Sequence, residues 1–335
     1  INSFKYSEFK EESSPNKILI DLSMAEGGLL NFELTELQYK VKQEIRYLRI
    51  NSSITIDVFD PGDGTKENPY KIFTCEEFDQ IRNELSAHYI LMNDLDFTLY
   101  DANEFEADGN WEPLGDENTP FSGSLNGNGY TIRNIKINQP SRDYLGLFGY
   151  LSGEVYDLVL GDVSIIGKDY VGAVAGYIKE NPALNRLYIT GNVWGENNVG
   201  GVAGKVEGGI VFDLSSTVNV TGKNNVGGIV GSSIASFYLP PDDIIYTNLE
   251  YIFSFGKVSG LTAVGGIVGN FIGALYHGTY FFGRLEAPKE ELGFNGTNWN
   301  YQDLIIFKRF KLSRYWDLSP LENNCLPKVK IKDST

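Results

Sequence analysis

Apolar residues recur along this chain in three rhythms. Between residues 15 and 60 they alternate with polar ones: Ile18, Ile20 and Leu22, then Leu30, Phe32 and Leu34, then Ile54, Ile56 and Val58. A period of two marks half-buried strands. It predicts either a small β-rich N-terminal domain or extra edge strands on whatever follows. From 74 to 85 the period lengthens, and Phe78, Ile81 and Leu85 form one helical stripe. Thr74-Cys-Glu-Glu77 just before it is a capping box, in which hydroxyl and carboxylate each satisfy an orphan backbone donor. Beyond residue 143 the pattern breaks into short β-branched runs bounded by Gly or Asn, which read as strands joined by tight turns.

Those runs repeat. Leu145-Gly-Leu-Phe-Gly149, Val171-Gly-Ala-Val-Ala-Gly176, Val199-Gly-Gly-Val-Ala-Gly204, Val226-Gly-Gly-Ile-Val-Gly231 and Val264-Gly-Gly-Ile-Val-Gly269 close on glycines spaced 27, 28, 27 and 38 residues apart. The longer interval contains an insertion near 235–247. A second motif trails each unit: Val163-Ser-Ile-Ile-Gly167, Gly191-Asn-Val-Trp-Gly195, Val218-Asn-Val-Thr-Gly222, Gly256-Lys-Val-Ser-Gly260 and the degenerate Gly283-Arg-Leu-Glu-Ala287. A unit this short cannot bury its own apolar face, so successive units must stack. The predicted fold is all-β: a right-handed parallel β-helix with one coil per repeat. β-Propeller blades are longer and carry other signatures. Glycine, 37 of the 335 residues, then serves corners that need positive φ and places where backbone packs closely. The helix after Thr74 is placed to cap one end of the stack. The predicted division is a β-rich region over 1–60, a lead-in with the capping helix over 61–143, β-helix repeats over 144–287, and a tail or cap over 288–335.

The Val-Gly-Gly-Ile-Val-Gly units, each followed by a Val-x-Gly turn, resemble the GLUG motif of bacterial surface proteins, which also occurs beside the peptidase domain of IgA-specific metallopeptidases. Upstream, Gly62-Asp-Gly-Thr-Lys-Glu-Asn-Pro-Tyr70, His88-Tyr-Ile-Leu-Met-Asn-Asp-Leu-Asp-Phe97, Trp111-Glu-Pro-Leu-Gly115 and Pro120-Phe-Ser-Gly-Ser-Leu-Asn-Gly-Asn-Gly-Tyr130 are similar to the lead-in of such repeats. The resemblance covers about residues 62–287. It implies an extracellular or cell-surface scaffold, and implies nothing about activity.

Charge narrows the partners. With 28 basic and 44 acidic side chains the chain carries −16, against nucleic acid, which needs a basic footprint, and against anionic lipid. No apolar run reaches the length of a membrane span, so no membrane insertion is expected. The opening Ile1-Asn2-Ser3 reads as an excised or mature fragment. Cys75 and Cys325 read as isolated thiols.

Catalytic signatures are missing. There is no His-Glu-x-x-His, no Gly-x-Ser-x-Gly elbow and no phosphate loop. His88 and His277 read as structural. Asp94 and Asp96 would share one side of a strand, as acid/base work or calcium would require, but also fit an Asn-Asp-x-Asp turn bonding local backbone. Asp57, Asp60 and Asp63 offer oxygens to Ca²⁺ without the 12-residue loop pattern. The expectation is a non-catalytic chain with no cofactor, these three aspartates being a weak calcium candidate. Because parallel β-helices often carry polysaccharide lyases or glycosidases, that enzyme reading stands as the alternative, together with a structural stalk or protein-binding adhesin.

Aligning the trailing motifs puts Ile165, Val193, Val220, Val258 and Leu285 in one inward column and Ile166, Trp194, Thr221, Ser259 and Glu286 in the outward one. Carried back by alternation, Tyr188, Ser215, Phe253 and Tyr280 also face outward, beside Thr190, Thr217, Phe255 and Phe282. The expected ligand-binding stripe is Trp194, Tyr188, Phe253 and Tyr280, flanked by Tyr238 and Tyr246 of the insertion. Its rings would stack on sugar rings of an insoluble polysaccharide such as cellulose, or meet another host or substrate surface. In function, though in no motif, this is similar to the tāpirins, cellulose-adhering β-helix proteins. The competing expectation is that the insertion or the aromatic tail covers the stripe.

Overall fold

The computed structural model describes the backbone of residues 28–41 and 44–58. It then describes residues 61–288, apart from 99, 101–109, 180–181, 235, 239–242, 246, 273; in the tail it describes Gly293, 316–317 and 328–329. The chain divides into two compact units, Ile1–Pro61 and Gly62–Thr335. In the first, Gly28–Val41 pairs antiparallel with Glu44–Val58, with a register shift between Leu34 and Glu36.

The second unit is a parallel β-helix, and its rungs fall where the glycine motifs do. Three parallel sheets run along the stack. A long face carries Glu154–Ile166, Ala183–Trp194, Gly209–Ser216, Thr247–Ser254 and Ala274–His277 side by side. An asparagine face carries Asp169–Val171, Asn197–Gly200, Asn224–Gly227 and Thr262–Gly265. A glycine face carries Phe148–Leu151, Ala175–Lys179, Ala203–Glu207, Val230–Ile234 and Val268–Ile272. Pairing is residue for residue between coils, as in Ala175↔Ala203 and Ala203↔Val230. The insertion leaves this ladder intact; within it Ser236–Tyr238 pairs antiparallel with Asp243–Ile245.

The core forms from inward columns. Ile137, Ile165, Val193, Val220 and Val258 stand in register and are buried, and Leu285 continues the column at the last coil. Near the start of the stack, Thr74 caps a short helix, Cys75–Asp79, with both bonds of the capping box formed. A 3-10 turn, Gln80–Asn83, follows. Phe78 packs against Phe97 and Trp111, with ring centroids 5.9 and 5.6 Å away. The helix directly follows Tyr70–Ile72, the end strand of the long face, so this aromatic plug lies at the N-terminal end of the core.

The glycines that close the repeat motifs do one of the two jobs expected of glycine, while others, Gly191 among them, do take positive φ. Gly204, Gly231 and Gly269 lie where a Cβ would come within 2.4–2.5 Å of the backbone of the preceding coil. They permit close approach. The positive-φ corner beside them is held instead by Tyr144, Tyr170, Asn198, Asn225 and Ala263, one per coil. A second left-handed column runs through the long face at Asp157, Arg186, Asp213 and Tyr251. Side chains other than Gly rarely adopt this conformation. Its recurrence at one register position shows that the coil geometry imposes it.

Candidate functional site

The alternation carried along each strand places the outward columns correctly. Ile166, Trp194, Thr221, Ser259 and Glu286 pair in one column. Val159, Tyr188, Ser215, Phe253 and Tyr280 pair in another. Facing outward is not the same as being exposed, however. Trp194 is 38% exposed, but Phe253 and Tyr280 keep only 6% and 5%. The expectation that these two offer open rings is therefore corrected.

Rung spacing explains the difference. Parallel strands lie about 4.8 Å apart, less than the width of an aromatic ring, so rings on adjacent coils cover one another. Phe255 stacks on Phe282 at 5.2 Å and 17° between planes, and Phe253 lies near-parallel to both. Phe253 and Tyr280 pack at 5.6 Å. Trp194 and Tyr188 escape this fate because their column neighbours are not aromatic: Ile166 and Thr221 for the indole, Val159 and Ser215 for the phenol. Tyr188 is half-buried. Tyr238 ends the strand Ser236–Tyr238, of which the backbone alone is described, and Tyr246 lies outside the described residues.

A second aromatic group was not anticipated. Tyr144 and Tyr170 occupy the left-handed corner of successive coils and stack face to face at 4.7 Å. Tyr150 and Tyr177, paired on the glycine face, complete a quartet, with Tyr144–Tyr150 at 4.7 Å and Tyr150–Tyr177 at 5.4 Å. Lys205 Nζ lies 4.7 Å over the Tyr177 ring, whose hydroxyl donates to Glu207. Burial, then the Glu207 hydrogen bond, pushes the Tyr177 phenol well above its ordinary value. The recurring Asp-Tyr-x-Gly at 143–146 and 169–172 was the signal available for it. In later coils Asn takes the corner. Asn225 Nδ2 donates to Asn198 Oδ1 (2.9 Å), and beside it Asn224 Nδ2 donates to Asn197 Oδ1 (2.6 Å) and Asn197 Nδ2 to Asp169 Oδ1 (2.6 Å).

The most polar part of the long face is the Asp157–Arg186–Asp213 column. Arg186 grips Asp157 through Nε and through Nη2 (2.8 Å to Oδ2). Asp213, one coil on, is 5% exposed, and its Oδ1 has no hydrogen-bond partner among the described residues. Burial raises its carboxyl to about 6, with Arg186 pulling the other way.

The remaining candidates have structural partners. Asp96 accepts from the Thr98 N–H (3.0 Å) and hydroxyl (2.6 Å), from Asn134 Nδ2 (2.8 Å) and from Arg133 Nε (3.0 Å). The Thr98 and Asn134 hydrogen bonds hold its carboxyl far below the usual carboxylate range. Asp94 accepts from the Thr131 N–H (2.8 Å). His88 Nδ1 lies 2.7 Å from Ser124 Oγ, and His277 meets the Tyr251 ring edge-on. Asp63 accepts from the Thr65 N–H and hydroxyl. Asp57 lies on a strand described by backbone alone, and Asp60 lies outside the described residues. Among the described residues no three His, Cys, Asp or Glu side chains converge as metal ligands. No helix among them is long and apolar enough to cross a membrane.

No protein-family model matches the chain. Two curated proteins share sequence with it. Halomucin of Haloquadratum walsbyi is 35% identical over 154 residues, 44% of this chain and 2% of halomucin. A protein of Evansella cellulosilytica named "Putative Gly-rich membrane protein" is 42% identical over 127 residues, 36% of this chain and 14% of that protein. The chain thus spans a small part of either relative. Among solved structures, "a putative immunoglobulin A1 protease from Bacteroides ovatus" superposes with a TM-score of 0.62 at 18% identity, over 81% of this chain and 95% of that one. This last likeness is one of fold.

Proposed function

We propose that this chain is an extracellular, non-catalytic binding module of the GLUG-repeat type, which attaches its parent protein to a polysaccharide surface through the outer side of the long face. The observation that carries the reading is Trp194, an indole left 38% open in the middle of the stack; the other open rings, Tyr276 at 47% and Phe282 at 37%, lie on its last coil. Contiguous apolar surface marks interaction sites where single exposed side chains do not, and Trp194 shares its strand with the half-buried Tyr188. An indole face with Tyr188 on the same strand suits stacking on sugar rings. The names of the relatives, a halomucin and a membrane protein, support a place at the cell surface.

The enzyme alternative finds less support. A glycosidase needs one carboxyl that stays protonated and another opposite it; Asp213 is raised to about 6, but the other carboxylate of its column, Asp157, is gripped by Arg186. Asp96 is committed to four donors and held anionic, which suits an anchor for the Arg133–Asn134 corner. A purified fragment should release no reducing ends or unsaturated products from cellulose, xylan or pectin, with or without calcium.

The binding reading is tested by adsorption to microcrystalline cellulose and other insoluble polysaccharides, comparing wild type with Trp194→Ala combined with Tyr188→Ala. Ring stacking on flat ligands is worth about 1–3 kcal/mol per ring, so the double variant should bind at least about tenfold more weakly. Equal adsorption by the folded double variant removes these rings from the site. No adsorption by the wild type to any polysaccharide favours the stalk or a protein partner.

A further inference from the structure

We propose that Asn185, Asp213 and Ser215 form a subsite on the long face that accepts hydrogen bonds from the hydroxyl groups of a neutral polysaccharide. The proposal rests on the glycan-binding reading above and assigns its polar contacts. Asn185 Oδ1, Asp213 Oδ1 and Ser215 Oγ are each buried without a hydrogen-bond partner among the described residues. Buried polar atoms are nearly always paired; Ser233, Asn248 and Ser254 also bury an unpartnered oxygen among the described residues, and what sets this group apart is that it includes a carboxylate.

They are close together. Asn185 pairs with Phe212, the residue before Asp213, and Ser215 pairs with Tyr188 on the same strand as Asn185. Strand spacing and rise then put their Cα atoms about 6–7 Å from Asp213. The left-handed backbone at Asp213 recurs through the column, so this placement is built into the coil. Arg186 and Tyr188, both half-buried, border the cluster. The proposal requires these two side chains to move aside and admit the ligand, since Asp213 and Ser215 are themselves buried. Phe212 and Tyr251, packed edge-to-face at 5.4 Å, wall the other side.

The chemistry selects the ligand. Carboxylate and amide oxygens accept, so Asn185 Oδ1 and Asp213 Oδ1 call for donors, while the Ser215 hydroxyl can donate or accept. A metal ion is a poor match, because the cluster offers a single carboxylate and the Arg186 guanidinium lies one coil away. An acidic polysaccharide is a poor match too, since Asp213 and the net charge of −16 would repel it. Uncharged sugar hydroxyls satisfy the oxygens without adding charge.

Affinity electrophoresis of the whole chain provides the test, in gels containing barley β-glucan, xyloglucan or galactomannan, with polygalacturonate as the acidic control. Retardation is expected in at least one neutral gel and not in polygalacturonate. Asp213→Leu and, separately, Asn185→Leu should weaken it at least about fivefold, unchanged by EDTA. If both folded leucine variants bind as wild type while Trp194→Ala with Tyr188→Ala does not, the subsite is wrong and the ring-binding reading survives. If the wild type is retarded in no neutral gel, the subsite falls, while the ring-binding reading is decided by adsorption to insoluble polysaccharide. Retardation abolished by EDTA, or confined to polygalacturonate, also overturns the subsite.

Discussion

The carboxyl of Asp213 should make this β-helix more stable in mild acid than at neutral pH. Burial lifts it from 3.8 to about 6 against the opposing pull of Arg186. With 5% of the residue exposed, little solvent screening applies. A folded value above the unfolded one means that the group costs stability at high pH. The cost is full above pH 6, shrinks as the folded carboxyl takes up its proton, and is gone below about pH 4. A shift of about two units at roughly 1.4 kcal/mol each amounts to about 3 kcal/mol across that window. Carboxyls of the opposite kind, Asp96 and Asp116, are held low by hydrogen bonds and lose their contribution at lower pH, outside the window. General relief of the acidic net charge also acts as pH falls, so the wild-type curve alone is not diagnostic. The difference between wild type and Asp213→Asn isolates the residue. Urea midpoints followed by tryptophan fluorescence at pH 8, 7, 6, 5 and 4.5 should show the variant more stable by about 1–3 kcal/mol at pH 8, converging with wild type by pH 4.5. The amide still buries an acceptor, hence the lower bound. Parallel curves for the two proteins, or a variant less stable at pH 8, would refute the argument that burial raises the Asp213 carboxyl.

Two further substitutions probe the repeat geometry. Gly231→Ala sets a Cβ 2.4 Å from the Val199 backbone nitrogen, where only a shift of whole coils relieves the clash; a loss of about 1–3 kcal/mol or more is expected in urea melts. Ala263→Asn should stabilise by about 0.5–1.5 kcal/mol, because Asn tolerates the left-handed corner (φ 48° at Ala263) and extends the Asn198–Asn225 side-chain ladder by one rung. A lowered midpoint for that variant would show that the ladder does not propagate.

Much of this protein was decided locally, within a strand or a turn. The capping box at Thr74, the inward column Ile165, Val193, Val220 and Val258, and the outward placement of Trp194 follow from alternation and repeat spacing. Backbone geometry enforces that alternation whatever lies next door. What alternation does not contain is the lateral neighbour, about 27 residues away in sequence and one rung away in space. Whether an outward ring stays open depends on the size of the side chains above and below it. Trp194 lies between Ile166 and Thr221 and is open, whereas Phe253 and Tyr280 lie among rings and are shut; Phe282, in the same ring group but on the last coil, stays 37% open. The same dependence assembles the tyrosine quartet from positions six or seven residues apart on successive coils. It also leaves Asp213 as a buried carboxylate without a partner for Oδ1. Period and parity were therefore legible in the chain, but exposure was not, because burial in a stack of coils is a property of columns, and columns exist only once the coils are in register.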